Sequence, residues 1–194
     1  HVGIILDGNR RFSKRLMLKP HMGHEWGAKK VREFLKWCKE VGVKEVTLFV
    51  FSIENFDRPK LEFNYLMDLF EKEFNQTLED PEVDKDGVKF RFIGRINMFP
   101  EKVKNLMYKL MEKTKNNCNL LVNFAMAYGG RAEIIDATKK LFDKVKNGEI
   151  TEINEQELNK CLYLDSDPDL IIRTSESRLS GFLSTESALT STFV

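Results

Sequence analysis

Short apolar, β-branched runs alternate along this chain with longer stretches of helical period, and this alternation limits the possible folds more than any other feature. The runs at residues 2–6, 46–51, 88–93, 120–127 and 170–172 have strand length and read as strands of a buried sheet. Helical patterning occupies about residues 26–40, 61–78, 99–115, 131–146 and 154–162, and the last begins with Asn154 and Glu157 in a capping-box arrangement. Residues 80–87 read as a loop. This order predicts an α/β fold, a single domain with a mainly parallel central sheet flanked by helices. At 194 residues the chain is long enough for one core, and no repeat, low-complexity tract or Pro/Gly/Ser linker divides it. Residues 1–194 are therefore expected to form one domain. Because the first residue is His1 rather than Met, that domain is expected to begin before residue 1 in the natural protein, and it is expected to be incomplete at its carboxyl end as well.

Open parallel sheets bind ligands outside the carboxyl ends of their strands, so the residues after each strand carry the functional signal. Strand 2–6 is followed by Asp7-Gly8-Asn9-Arg10-Arg11, and strand 46–51 by Ser52-Ile53-Glu54-Asn55-Phe56-Asp57-Arg58. The later strands are followed by Gly94-Arg95, by Tyr128-Gly129-Gly130-Arg131 and by Arg173-Thr174-Ser175. One sheet edge would thus collect Arg11, Arg58, Arg95, Arg131 and Arg173, with glycines and small polar residues that let backbone N–H groups reach an anion. Between Asp7 and Lys30, Arg10, Arg11, Lys14, Arg15, Lys19, Lys29 and Lys30 face only Asp7 and Glu25, a balance that suits a polyphosphate ligand.

Composition narrows the class further. Lys and Arg number 31 against 30 Asp and Glu, so there is no general basic footprint, and no nucleic-acid partner is expected. No window resembles a membrane-spanning helix, which leaves peripheral contact as the expected relation to any membrane. Cys38, Cys118 and Cys161 are odd in number and widely spaced, as expected in a reducing, cytoplasmic compartment.

Each motif also has a plain structural reading. Asp7-Gly8-Asn9 is either a polar turn or a place where a carboxylate helps hold Mg²⁺ on a phosphate. His21 and His24 are three apart but have no third zinc ligand nearby; His24 reads as a surface histidine or as a donor to phosphate. Phe63, Leu66, Met67, Phe70 and Phe74 keep helical spacing and face a core, while 15 Phe and 7 Met leave material for an apolar cleft suited to a flexible lipid chain. The charged stretch 143–157 is a solvated helix end and linker.

Together these motifs resemble the cis-prenyltransferase family of the undecaprenyl diphosphate synthase type. The resemblance rests on five ordered stretches. These are 1–12 with Asp7-Gly8-Asn9-Arg10-Arg11-Phe12, Gly23-His24-Glu25-Trp26-Gly27-Ala28, 51–59, Tyr128-Gly129-Gly130-Arg131, and 167–180 with Arg173, Arg178, Leu179 and Ser180. It implies an undecaprenyl diphosphate synthase-like fold, usually a homodimer, with an apolar tunnel beside diphosphate sites. The implied reaction is Mg²⁺-assisted cis condensation of isopentenyl diphosphate onto an allylic prenyl diphosphate, with peripheral membrane contact for the lipid product.

By position, Asp7 matches the catalytic, metal-associated aspartate, and Asn55 matches the position assigned to proton removal. Gly8, Asn9, Arg10, Arg11, Phe12 and Arg58 would hold the allylic diphosphate, and Ile53, Glu54 and Phe56 share that motif. His24 and Ser52 would assist, while Arg173, Arg178, Leu179 and Ser180 would hold isopentenyl diphosphate. An amide is a poor base, so a pyrophosphate oxygen is chemically the better proton acceptor.

The chain departs from the family pattern at several points. Phe12 replaces the usual Trp, Pro20 replaces a frequent Arg beside Lys19, and Arg173 and Arg178 are one residue closer than usual. Ser191 stands where a metal-binding Glu is expected, and Glu186 matches a Gln rather than that Glu. These departures keep open a catalytically weak accessory homologue that binds a prenyl diphosphate or a partner subunit. A phosphatase or phosphotransferase using Asp7 as nucleophile is disfavoured because Asn9 stands where D-x-D chemistry needs a second Asp.

Overall fold

The structure is a computed structural model and describes residues 1–17, 22–174 and 181–183. Five strands form one all-parallel sheet: β1 (Val2–Ile5), β2 (Glu45–Ser52), β3 (Val88–Ile93), β4 (Leu120–Tyr128) and β5 (Leu170–Arg173), in the order β3-β4-β2-β1-β5. Helices α1 (Asn9–Arg15), α2 (Met22–Glu40), α3 (Lys60–Glu79), α4 (Pro81–Lys85), α5 (Glu101–Lys113), α6 (Gly130–Lys146) and α7 (Glu155–Asn159) connect them. Single 3₁₀ turns occupy Ile53–Asp57 and Ile96–Met98. Each expected strand is present within three residues of its predicted ends.

The helices differ more from the sequence expectation than the strands do. Residues 80–87, expected to be a loop, contain α4, which begins where Asp80 Oδ1 accepts from the Glu82 N–H at 3.0 Å and Pro81 occupies the first turn. Helix α1 was not anticipated, and α2 begins at Met22 rather than near residue 26. The Asn154 cap was read correctly: its Oδ1 accepts from the Glu157 N–H at 3.0 Å.

Alternation along the strands divides the apolar side chains between two cores. Ile4, Val46, Leu48, Phe90, Phe92 and Val122 pack with Phe70 and Phe74 of α3 and Val103, Met107 and Leu110 of α5. Ile5, Phe49, Ile93, Ala125 and Ile171 pack on the opposite face with Tyr128, Phe182 and Leu183. Strict period-two reading would put Phe51 with Phe49. The β2–β4 register instead shifts between Phe49 and Phe51, and the irregularity turns Phe51 into the first core, against Phe56, Phe70 and Phe99 at 5.0, 5.9 and 5.3 Å between ring centroids.

Candidate active site

Register brings the first pair of site residues together. Ile5 lies opposite Arg173 in the β1–β5 pairing, so the chain leaving β1 passes the end of β5. Gly8 then adopts φ 102, a left-handed conformation that costs glycine little, and its N–H turns back to Asp7 Oδ1 at 2.6 Å. Arg173 Nη2 donates to Asp7 Oδ2 at 2.8 Å, Arg11 Nη2 lies 3.2 Å from the same oxygen, and Thr174 Oγ1 donates to the Asp7 carbonyl at 2.6 Å. Burial pushes the Asp7 pKa upward, but the Arg173 and Gly8 hydrogen bonds and the charges of Arg11 and Arg173 outweigh it. The carboxyl is held below its usual range and is ionised at neutral pH.

A second cluster forms where β2 ends. The Ser52 N–H donates to Asn55 Oδ1 at 3.2 Å, one half of a capping box that fixes the 3₁₀ turn. This turn delivers Arg58, whose Nη1 donates to Glu62 Oε1 at 2.7 Å and lies 3.4 Å from His24 Nε2. His24 is itself 3.6 Å from Glu62 Oε1. Burial and the charge of Arg58 lower the His24 pKa despite the opposing pull of Glu62, so the imidazole is neutral at pH 7.

Two glycines explain why His24 can reach this cluster. A side chain at Gly23 would overlap the Asn9 carbonyl, and one at Gly27 would sit 2.8 Å from Asn9 Oδ1. The Gly-His-Glu-Trp-Gly motif therefore lets α2 pack closely on α1, with His24 and Trp26 beside the site.

Both clusters open into a cavity of about 1550 Å³. Its upper end is lined by Asp7, Gly8, Asn9, Arg11, Phe12, His24, Ser52, Glu54, Asn55, Arg58, Arg173 and Thr174. Its walls include Val31, Leu35, Phe51, Leu66, Phe70, Phe74, Val83, Val88, Phe90 and Phe124. Val88 begins β3, so the cavity runs the height of the sheet, from its carboxyl edge to its amino edge. The Phe-rich face of α3 thus serves core and cavity together. The expected contribution of methionine is not realised: among the described residues no Met lines the cavity, and Met67, Met107 and Met126 are packed in the core.

Not every predicted arginine arrives. Arg95 makes a two-pronged ion pair with Asp136 at 2.9 and 3.0 Å and, like exposed Arg131, is absent from the described cavity lining. Strand order explains this for Arg95, which follows edge strand β3, three places from β1. Arg10 lies outside the lining and approaches Glu62 at 3.9 Å; Phe56 packs in the Phe51 cluster, and Ile53 would touch a side chain placed at Gly129. His21, Arg178, Leu179, Ser180, Glu186 and Ser191 lie outside the described residues. Thr174 from the β5 edge motif and Arg15 and Lys30 from the basic stretch also line the cavity, whereas sequence reasoning missed Glu62. The i,i+4 spacing of Arg58 and Glu62 across Pro59 was the available signal for it.

Among the described residues no group of three or more His, Cys, Asp or Glu could hold a metal. Mg²⁺ on a phosphate substrate needs only one or two carboxylates, with phosphate oxygens and water supplying the other ligands. An ionised, one-third exposed Asp7 fits that role. Among the described residues no helix is long and apolar enough to cross a membrane.

Comparison with known proteins agrees with this geometry. A prenyltransferase family model described as "Putative undecaprenyl diphosphate synthase" matches residues 5–194. The chain is 48% identical over 190 residues to a tritrans,polycis-undecaprenyl-diphosphate synthase (geranylgeranyl-diphosphate specific) of Methanocaldococcus jannaschii, covering 94% of this chain and 68% of that protein. It is 43% identical over 197 residues to an isoprenyl transferase of Thermus thermophilus, covering 97% and 75%. The crystal structure of lavandulyl diphosphate synthase from Lavandula x intermedia, in complex with dimethylallyl diphosphate, superposes with a TM-score of 0.90 at 27% identity, covering 98% of this chain and 86% of that one. With a matching family model over nearly all of its length, the chain belongs to the undecaprenyl diphosphate synthase family of cis-prenyltransferases.

Proposed function

We propose that this enzyme condenses isopentenyl diphosphate with an allylic prenyl diphosphate to make a long-chain polyprenyl diphosphate, assisted by Mg²⁺. The carrying observation is the cavity that joins a cationic mouth at Asp7, Arg11, Arg58 and Arg173 to apolar walls running the height of the sheet. Arg11, Arg58, Gly8 and Asn9 hold the allylic diphosphate, while Arg173 holds isopentenyl diphosphate with Arg178 and Ser180. Neutral His24 provides a ring N–H or lone pair without adding charge.

In the reaction the allylic C1–O bond breaks and its electron pair leaves with the diphosphate. The isopentenyl double bond supplies the electrons of the new carbon–carbon bond, and one proton is lost to a pyrophosphate oxygen. Arg11 and Arg58 stabilise charge developing on the leaving group, and the apolar walls exclude water from the allylic cation. Asn55 orients the turn that carries Arg58 rather than taking the proton. Asp7 is the residue that would hold Mg²⁺ on the substrate, and the metal would supply further neutralisation of the leaving group.

Geranylgeranyl diphosphate is the primer to test first, because the name of the Methanocaldococcus jannaschii relative specifies it. Exposed Ile134, Ile135, Phe142 and Val145 on α6 are the proposed contact of a homodimer. A cytoplasmic enzyme with peripheral membrane contact would deliver the lipid product. The test incubates the protein with Mg²⁺, radiolabelled isopentenyl diphosphate and farnesyl or geranylgeranyl diphosphate, then resolves extracted products by chain length. Mg²⁺-dependent long products, lost on chelation, support the proposal. Intact substrates from folded protein would favour the accessory homologue suggested by Ser191.

A further inference from the structure

Glu62 is buried in the first turn of α3 and stands outside the cavity lining, yet cationic or polar groups from three other segments converge on it. Its Oε1 accepts from Arg58 Nη1 at 2.7 Å, after the 3₁₀ turn. It also lies 3.6 Å from His24 Nε2 on α2 and 3.9 Å from Arg10 Nε on α1. Arg58 and His24 do line the cavity. Glu62 therefore backs the two side chains that face the allylic diphosphate in the function proposed above.

Two physical effects of this carboxylate oppose one another. As a buried anion near the diphosphate site it repels the substrate. As the acceptor for Arg58 it removes rotamer freedom from a guanidinium that would otherwise lose it on binding. The geometry decides between them: Arg58 and His24 line the cavity and Glu62 does not, so the Arg58 guanidinium and the neutral His24 ring intervene between the two anions, while the Arg58 contact is direct and short. We infer that Glu62 is a positioning residue for the allylic diphosphate, acting by holding Arg58 and His24 in their binding orientation. This rests on the proposed function for the identity of the substrate but not for the existence of the anion site.

Two substitutions separate geometry from charge. Glu62→Gln keeps an acceptor oxygen at the same reach and loses the charge; Glu62→Asp keeps the charge and withdraws the acceptor by one methylene. Titration with inorganic pyrophosphate reads the site without turnover, and the KM values of the two substrates read it during turnover. Positioning predicts that Glu62→Asp weakens pyrophosphate binding and raises the allylic KM about tenfold, while Glu62→Gln stays within about threefold of wild type. The isopentenyl diphosphate KM should stay within about twofold in both, because Arg173 does not touch this cluster.

Pyrophosphate bound more tightly by Glu62→Gln, with Glu62→Asp unchanged, would overturn the inference and make Glu62 a repelling charge. Equal rises in both KM values with a lowered melting temperature would also overturn it and reduce Glu62 to a structural ion pair. If wild-type protein binds pyrophosphate but makes no polyprenyl product, the proposed reaction fails, while the pyrophosphate comparison of the variants still decides the role of Glu62.

Discussion

Arg173 Nη2 donates to Asp7 Oδ2 at 2.8 Å, joining the carboxyl ends of neighbouring strands β5 and β1 through an arginine that is only 4% exposed. The pair serves both site and fold. Removing Asp7 takes a close carboxylate acceptor from a buried guanidinium, so Asp7→Ala should lower stability as well as turnover. A cost of about 2 kcal/mol is expected, below the figure of about 3–5 for a fully buried pair because Asp7 is one-third exposed. Turnover should fall by at least about 10²-fold, since charge stabilisation at the leaving group is lost. Thermal melts of Asp7→Ala, Arg173→Ala and the double variant check the pairing. The double variant should be clearly more stable than the sum of the single losses implies, and strict additivity would show that the pair contributes no coupling.

Asn55 gives a sharper test of chemistry against architecture. Its Oδ1 accepts from the Ser52 N–H at 3.2 Å, so Asn55→Ala should cost about 1 kcal/mol by loss of the cap and misplace Arg58. Asn55→Asp retains an acceptor and adds a base, but it places a negative charge beside the diphosphate. Stability should recover in Asn55→Asp while kcat stays at least about tenfold below wild type. A kcat for Asn55→Asp at or above wild type would instead assign proton removal to residue 55.

These two cases show what was legible in the sequence. The strands were, because parallel strands buried on both faces are apolar at nearly every position, and the polar residues after them marked the binding edge. Asp7, Arg11, Arg58 and Arg173, all read from those stretches, line one cavity. Arg95 was misplaced because the residues after a strand say nothing about strand order, and β3 is an edge strand that pairs, among the described residues, with β4 alone. Phe51 could not be placed by alternation because the shift in the β2–β4 register is a pairing property invisible along one strand. Helix α1 escaped because its residues lack an apolar stripe; it packs closely on Gly23 and Gly27 of α2, and Ser13 is its one buried residue. Glu62 was hidden for a related reason, since carboxylates in the first turn of a helix are usually solvated, and its burial depends on three partners from elsewhere.

The exposed face of α6 supports a prediction about assembly. Ile135 and Phe142 are 50% and 65% exposed, and with Ile134 and Val145 they form an apolar surface unlike the charged remainder of the helix. Phe142→Ser should leave the fold intact and shift the protein toward monomer in light scattering coupled to gel filtration. At a dimer interface, burial of one Phe is worth about 2 kcal/mol or more, so the dissociation constant should rise at least about tenfold. A mass that does not change between wild type and Phe142→Ser would exclude this face as the subunit contact.

Glu133 leads to a pH prediction opposite in sign to that of most carboxylates. It is 1% exposed in α6 and accepts from Tyr128 Oη at 2.5 Å and from the Tyr163 N–H at 2.9 Å. Tyr128 Oη in turn accepts from the Leu183 N–H at 3.2 Å, so the carboxyl anchors the returning chain against β4. Burial raises the Glu133 pKa above 4.5, and hydrogen bonds from Tyr128 and Tyr163, with the charge of Lys140, only partly offset it. A carboxyl with a raised folded pKa binds its proton more tightly in the native state than in the unfolded chain. Its contribution to stability is therefore fully present below pH 4.5 and is lost as pH rises through the folded pKa. Asp7 and Asp136, whose pKa values are lowered, act in the reverse direction and below pH 3.8, and the lowered pKa of His24 makes stability rise with pH below 6.5. All three remain in Glu133→Gln and cancel when the variant is compared with wild type. The wild-type advantage in melting temperature over Glu133→Gln should accordingly be largest near pH 4.5 and shrink toward neutral pH. An advantage that stays level or grows with pH would mean that Glu133 is held as a carboxylate, with Tyr128 and Tyr163 outweighing its burial.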